Sequence, residues 1–185
     1  MKSIQKLKLA SLNWARDGQL PGVRALFAGE EKVGELYFAK DDDTHAEAFA
    51  EDGHWTFICT RYILPRVSVR TPKLGFLATF EGSRSGNGML EFLGGKRYHW
   101  LCTDIWQTTW GFETMDRTPL VRFQSGYEKD NSGGLVEITP AAWEHPNLSL
   151  LVLLGWYLSL LNDTEDSAIP VDPEIIRKKS TLLAN

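Results

Sequence analysis

Residues 145–163, HPNLSLLVLLGWYLSLLND, hold the most uniformly apolar run of the chain, and the reading of that run decides the fold. From Leu148 to Leu161 nothing is charged; Ser149, Gly155, Ser159 and the Tyr157 hydroxyl are the interruptions. Asn147, just after Pro146, is placed to cap a helix, and Asn162-Asp163 returns the chain to polar residues, so a helix over 147–162 is predicted. About fourteen residues at about 1.5 Å each reach only about 21 Å, against about 30 Å of hydrocarbon in a bilayer. A membrane span would be unusually short. A helix on the outside of a sheet would carry a polar stripe, and at 100° per residue Ser149 and Ser159 do not make one. The helix therefore has to be covered all round, and burying about ten large apolar side chains is worth on the order of 15 to 30 kcal/mol before entropy.

The material available to cover it lies upstream. Between residues 22 and 139 short apolar segments alternate with turn chemistry, as in an all-β domain: VRALFAG, KVGELYFA, HWTFICTRY, RVSVR, GFLATFEG, GMLEFLG, KRYHWLC, TTWGFET, LVRFQSG and GLVEIT. Glycine, asparagine and aspartate at 29–31, 82–88, 94–95, 116–119 and 130–134 supply the turns, and Gly94-Gly95 reads as a two-residue hairpin turn. Alternation sorts each strand into two faces. Val67 and Val69 oppose Arg66, Ser68 and Arg70; Tyr98, Trp100 and Cys102 oppose Arg97 and His99; Val121 and Phe123 oppose Arg122 and Gln124. Strands with one apolar face and a helix that is apolar all round are both satisfied by a closed antiparallel β-barrel enclosing the helix, which also leaves no open sheet edge. An eight-stranded barrel is filled by its own side chains, so about twelve strands are expected. The two still to be found are sought in IQKLKLAS (4–11) and in a split of 31–39 or 54–64.

Aromatic strands followed by a nearly C-terminal apolar helix, in the context GGKRYHWLCTDIWQTTWGFET … HPNLSLLVLLGWYLSLL, resemble the tubby C-terminal-like superfamily of phospholipid scramblases and LURP-one-related proteins, in its uncharacterised bacterial branch. The resemblance spans about residues 20–162. It implies a twelve-stranded barrel around a central hydrophobic helix, and binding of phosphoinositides or membranes. The chain carries neither a scramblase-like cysteine cluster nor a calcium loop, so lipid transport, calcium dependence and membrane anchoring are not part of the expectation.

Composition narrows the function classes. A 185-residue chain with 43% hydrophobic and 24% charged residues suits one globular domain, taken as 1–162 with a tail at 163–185. A net charge of −4 offers no general attraction to nucleic acid. Cys59 and Cys102 are too few and too far apart for a disulfide framework or zinc site, and they point to a reduced, cytoplasmic setting. The acidic stretch from Lys40 to Asp52 lacks the glycine and glutamate of a calcium loop and reads as a solvated loop between strands. The 82–88 glycine loop lacks the Lys-Ser/Thr ending of a phosphate cradle. His45, His54, His99 and His145 form no metal-binding spacing, and no nucleophile elbow occurs. No cofactor, metal or catalytic residue is therefore expected.

The one ligand candidate is basic: Arg61, Arg66, Arg70 and Lys73 in thirteen residues without an acid between them. Arg66 and Arg70 share a strand face about 13 Å apart, suited to the phosphates of an anionic lipid. The same charges also suit a strand protected against edge pairing. The expectation is a non-enzymatic binding or scaffold module that meets a protein or an anionic phospholipid surface through the barrel exterior, peripheral to the membrane. The alternatives are an enzyme or small-molecule carrier with a barrel-mouth pocket, and a membrane protein anchored by 147–162.

Overall fold

The computed structural model describes residues 1–9, 11–16, 23–39, 42–60, 64–106, 108–125 and 133–166. Twelve strands form one closed antiparallel barrel: β1 Ser11–Arg16, β2 Val23–Ala28, β3 Glu31–Ala39, β4 Asp42–Ala50, β5 Gly53–Thr60, β6 Arg66–Thr71, β7 Gly75–Gly82, β8 Gly88–Phe92, β9 Arg97–Cys102, β10 Thr109–Thr114, β11 Pro119–Ser125 and β12 Gly134–Ile138. Each strand pairs with its neighbours in sequence, and β1 closes on β12 with Leu12 opposite Val136. A short helix α1, Ile4–Leu7, precedes the barrel, and a 3-10 turn, Pro140–Ala142, leads from β12 to α2, Leu148–Asp166. The expected helix thus runs four residues beyond 162, and the rest of the tail lies outside the described residues.

The expected strands are all present, but the two missing ones are not where they were sought. Residues 4–7 are helical, and the first strand starts at Ser11. The other strand is β4, inside the acidic stretch expected to be a loop. Its inward positions are Ala46, Ala48 and Ala50, all buried, while Glu47 and Phe49 lie between them. The alternation was present, but alanine has a low strand propensity and the aspartates at its start read as turn residues. Nor is Gly94-Gly95 a two-residue turn. The Gly95 N–H donates to the Phe92 carbonyl at 2.8 Å and only Gly95 of the pair turns left-handed, with φ 79°, the arrangement of a turn closed by a glycine bulge.

The barrel is lined as the alternation required: Val67, Val69, Leu90, Trp100, Val121, Phe123 and Val136 are all buried. Every side chain of α2 from Leu148 to Leu158 is at most 3% exposed. The helix touches β3, β4 and β5 on one side and β10 and β11 on another, and Trp156 stacks on Trp14 of β1 at 5.1 Å. Its polar interruptions are each satisfied: Ser149 donates to Asp52 at 2.9 Å, the Tyr157 hydroxyl to the Thr44 carbonyl at 2.9 Å, and Ser159 to the Gly155 carbonyl at 3.0 Å. Among the described residues no helix is long and apolar enough to cross a membrane.

An up-and-down barrel sends alternate turns to opposite ends. The β2–β3, β4–β5, β6–β7, β8–β9 and β10–β11 turns share one rim with the segment before β1 and the connection into α2. The β7–β8 and β9–β10 turns lie on the other. We call these the lower and upper rims.

Candidate functional site

Of the four basic residues singled out in the sequence, three lie among the described residues. Arg61 lies outside the described residues. Arg66 and Arg70 do share the exterior of β6, but the Arg66 guanidinium is 3.4 Å from the Glu81 carboxylate of β7. Lys73 lies past the end of β6, in the β6–β7 turn on the lower rim, exposed beside Leu74. The polar ladder on β4 and β5 is likewise self-contained. Burial pushes the Glu47 carboxyl up, but hydrogen bonds from His54, Thr56 and His45 outweigh it and leave its pKa below the usual carboxylate range. Among the described residues no group of three or more histidine, cysteine, aspartate or glutamate side chains is placed to hold a metal ion. Cys59 is buried, whereas Cys102, on the apolar face of its strand, is only partly so.

The lower rim gathers what the linear reading missed. Around half of it, an exposed aliphatic side chain recurs next to an exposed cation. Lys8 and Leu9 precede β1, Lys73 and Leu74 sit in the β6–β7 turn, Leu93 and Lys96 in the β8–β9 turn, and Met115 and Arg117 in the β10–β11 turn. Leu74 is 73% exposed and Leu93 69%; a single exposed leucine is ordinary, and it is their recurrence beside cations on one rim that stands out. Lys96 extends over the Tyr98 ring at 5.6 Å, and Arg117 is 3.8 Å from Glu113. On the other half of the rim Lys2 pairs with Glu31 and Lys6 with Glu51, and Glu30 is exposed, while Asp116 is an exposed acid between Met115 and Arg117.

Backbone geometry marks the same half. Among the described residues, the non-glycine residues in the left-handed region are Lys8, with φ 46°, and Arg117, with φ 65°. Arg117 closes its turn by donating to the Thr114 carbonyl at 3.0 Å, just as Gly86 and Gly95 close theirs. An L side chain there costs about 1 kcal/mol that glycine does not. The sequence signal for this rim was available, because each tip pairs a lysine or arginine with a leucine or methionine. It became legible only once the parity of the strands put those tips at one end.

No protein-family model, no curated protein and no solved structure matches the chain. What defines the molecule is its class, a twelve-stranded closed antiparallel barrel with a helix near its C-terminus, together with the rim just described.

Proposed function

We propose that the protein is a non-enzymatic binding module whose basic and aliphatic half-rim docks on an anionic phospholipid surface, peripheral to the membrane in a cytoplasmic setting. The observation that carries this reading is the repetition of an exposed aliphatic beside a cation at Lys8-Leu9, Lys73-Leu74, Leu93-Lys96 and Met115-Arg117. Cations near an anionic surface each contribute about 1 kcal/mol, and shallow insertion of aliphatic side chains adds the lipid-immersed part. The left-handed Arg117 fits the same reading, since backbone strain is retained where a side chain has a task. The tubby-like resemblance points the same way, and α2, buried from Leu148 to Ser159, is taken as the barrel's central helix, leaving the exterior to do the binding.

Co-sedimentation with vesicles containing phosphatidylserine, against vesicles of phosphatidylcholine alone, tests the proposal. Wild type should pellet with the first and not the second. Combining Lys73→Glu, Lys96→Gln and Arg117→Asn should weaken pelleting at least about tenfold while circular dichroism stays unchanged. Arg66→Glu with Arg70→Glu should matter less, because Arg66 already faces Glu81. Wild type that does not pellet, or a triple variant that pellets as well as wild type, overturns the reading.

A further inference from the structure

The upper rim carries a second unusual feature. In the β9–β10 turn Ile105 is 87% exposed and Trp106 79%, two adjacent large apolar side chains held out into solvent. The turn that presents them is braced. Asp104 accepts hydrogen bonds from the Thr108 N–H at 3.0 Å and the Thr108 hydroxyl at 2.8 Å, and its own carbonyl accepts from the Cys102 thiol at 3.0 Å. Cys102 is fixed in turn by donating its N–H to Asn87 of the neighbouring hairpin at 2.8 Å. Hydrogen bonds from Thr109 first, then Thr108 and the Trp106 backbone, outweigh burial and lower the Asp104 pKa to about 2, so its charge is spent inside the turn. The Trp106 backbone is therefore held to Asp104, so a partner that takes the side chain has less of the turn to order.

The same chain carries a surface suited to it. An open groove of about 380 Å³ crosses the exterior of β6, β7 and β8, lined by Arg66, Phe76, Thr79, Glu81, Met89, Glu91, Phe92 and Leu93. Met89 and Arg66 flank Glu81 in the strand register, so at that end of the groove the Met89 thioether and the face of the Arg66 guanidinium offer the contacts an indole ring favours, while Phe76 lies towards the other end. Glu81 and Glu91 are held by Arg66 and Arg97 but keep free acceptor positions, which suits an indole N–H donor. Within one copy the two features do not meet, since Trp106 stands exposed on the rim.

We propose that Trp106, with Ile105 beside it, inserts into the β6–β8 groove of a second copy of this chain. The two surfaces differ, so the contact is head-to-side, and a pair joined by one contact keeps one free spike on one copy and one free groove on the other. The buried area is small, which places the association in the weak, concentration-dependent class. The groove shares Leu93 with the lower rim, but the two residues that test the inference, Trp106 and Met89, lie outside the lipid-docking set.

Sedimentation velocity of the full chain over a wide concentration range tests it. The weight-average mass of wild type should rise with concentration, and Trp106→Ala should weaken association at least about tenfold. Met89→Lys, which puts a charge into the groove, should do the same while leaving the spike intact. Mixing the two variants should restore a one-to-one dimer and nothing larger, since only one productive contact remains. Wild type that stays monomeric throughout overturns the proposal, as does association that survives Trp106→Ala. So does a mixture that fails to pair, or a Trp106-dependent blue shift with vesicles from a protein that remains monomeric.

Discussion

Two arcs of the barrel wall meet the same helix with opposite chemistry. On β4 the inward residues are small, Ala46, Ala48 and Ala50, with Gly34 next to them on β3, whereas on β9, β10 and β11 large rings dominate, Tyr98, Trp100, Trp110, Phe112 and Phe123. The helix answers in kind. Leu153 approaches so near Gly34 that a Cβ there would lie 3.1 Å from its Cδ2, and Gly155 faces Phe123 so closely that its own Cβ would fall 2.2 Å from the ring. Two positions apart on a helix is about 200° of rotation, so these are opposite sides of α2. Large packs against small on one side and small against large on the other. An interior packed to crystal-like density fixes the rotation of the helix in this way, even though nearly every helix position is apolar.

The arcs should respond unequally to truncation. Trp100 is fully buried, with ring centroids of Phe112 at 4.8 Å, Phe123 at 5.5 Å and Trp110 at 5.8 Å. Trp100→Ala should cost about 3 to 5 kcal/mol in urea unfolding, because those rings cannot collapse into the space left. Ala48→Gly on the opposite arc should cost only about 0.5 to 1 kcal/mol, the backbone penalty of glycine in a strand. Comparable losses would mean that the aromatic arc is not a load shared by its rings.

Volume exchange across one contact sharpens the comparison. Leu153→Ala should lose about 2 to 5 kcal/mol, and Gly34→Ala should lose about 1 to 2 by overpacking. Together they should lose less than the sum, because the new methyl enters space the leucine has vacated. Strict additivity in denaturant melts would show that Gly34 and Leu153 are not coupled. A smaller effect of opposite sign is expected at the lower rim, where Arg117→Gly should stabilise by about 1 kcal/mol by relieving the left-handed backbone. The same change should weaken pelleting with phosphatidylserine vesicles, separating stability from docking.

The aromatic arc was legible in the sequence and the small arc was not. Tyr98, Trp100 and Cys102 alternate with Arg97 and His99 in a pattern that only a half-buried strand explains. β4 alternates just as strictly, but its inward residues are alanines whose burial is required by a helix that the strand's own sequence does not contain. The basic rim was missed for a related reason. Proximity in sequence joined Arg66 to Lys73, while the topology of the barrel sets Arg66 against Glu81 and gives Lys73 to a rim shared with Lys96 and Arg117. Side-chain periodicity within a strand is local information, and rim composition is not.

The two arcs also hold the entrance of the helix by different means, and pH tells them apart. On the small side Ser149 donates to Asp52 in the β4–β5 turn; on the aromatic side the His145 Nε2 lies 2.6 Å from the Tyr98 hydroxyl. The Asn147 N–H donates to His145 Nδ1 at 3.3 Å, so the neutral ring carries its proton on Nε2 and donates to Tyr98. Burial, then the nearby charge of Lys96, lowers the His145 pKa below its ordinary value. The neutral ring is favoured by folding, so this stability is fully present above the unfolded pKa of about 6.5 and is lost as pH falls through the lower folded value. Protonation also places a hydrogen on Nδ1, facing the Asn147 N–H. Because the ring is only half-buried, solvent screens part of the effect, and it should be smaller than any of the packing changes. Wild type should therefore melt at a lower temperature at pH 5 than at pH 7.5, with His145→Gln flattening that difference. An unchanged pH dependence in the variant would place the titrating group elsewhere and leave Tyr98 holding the helix by packing alone.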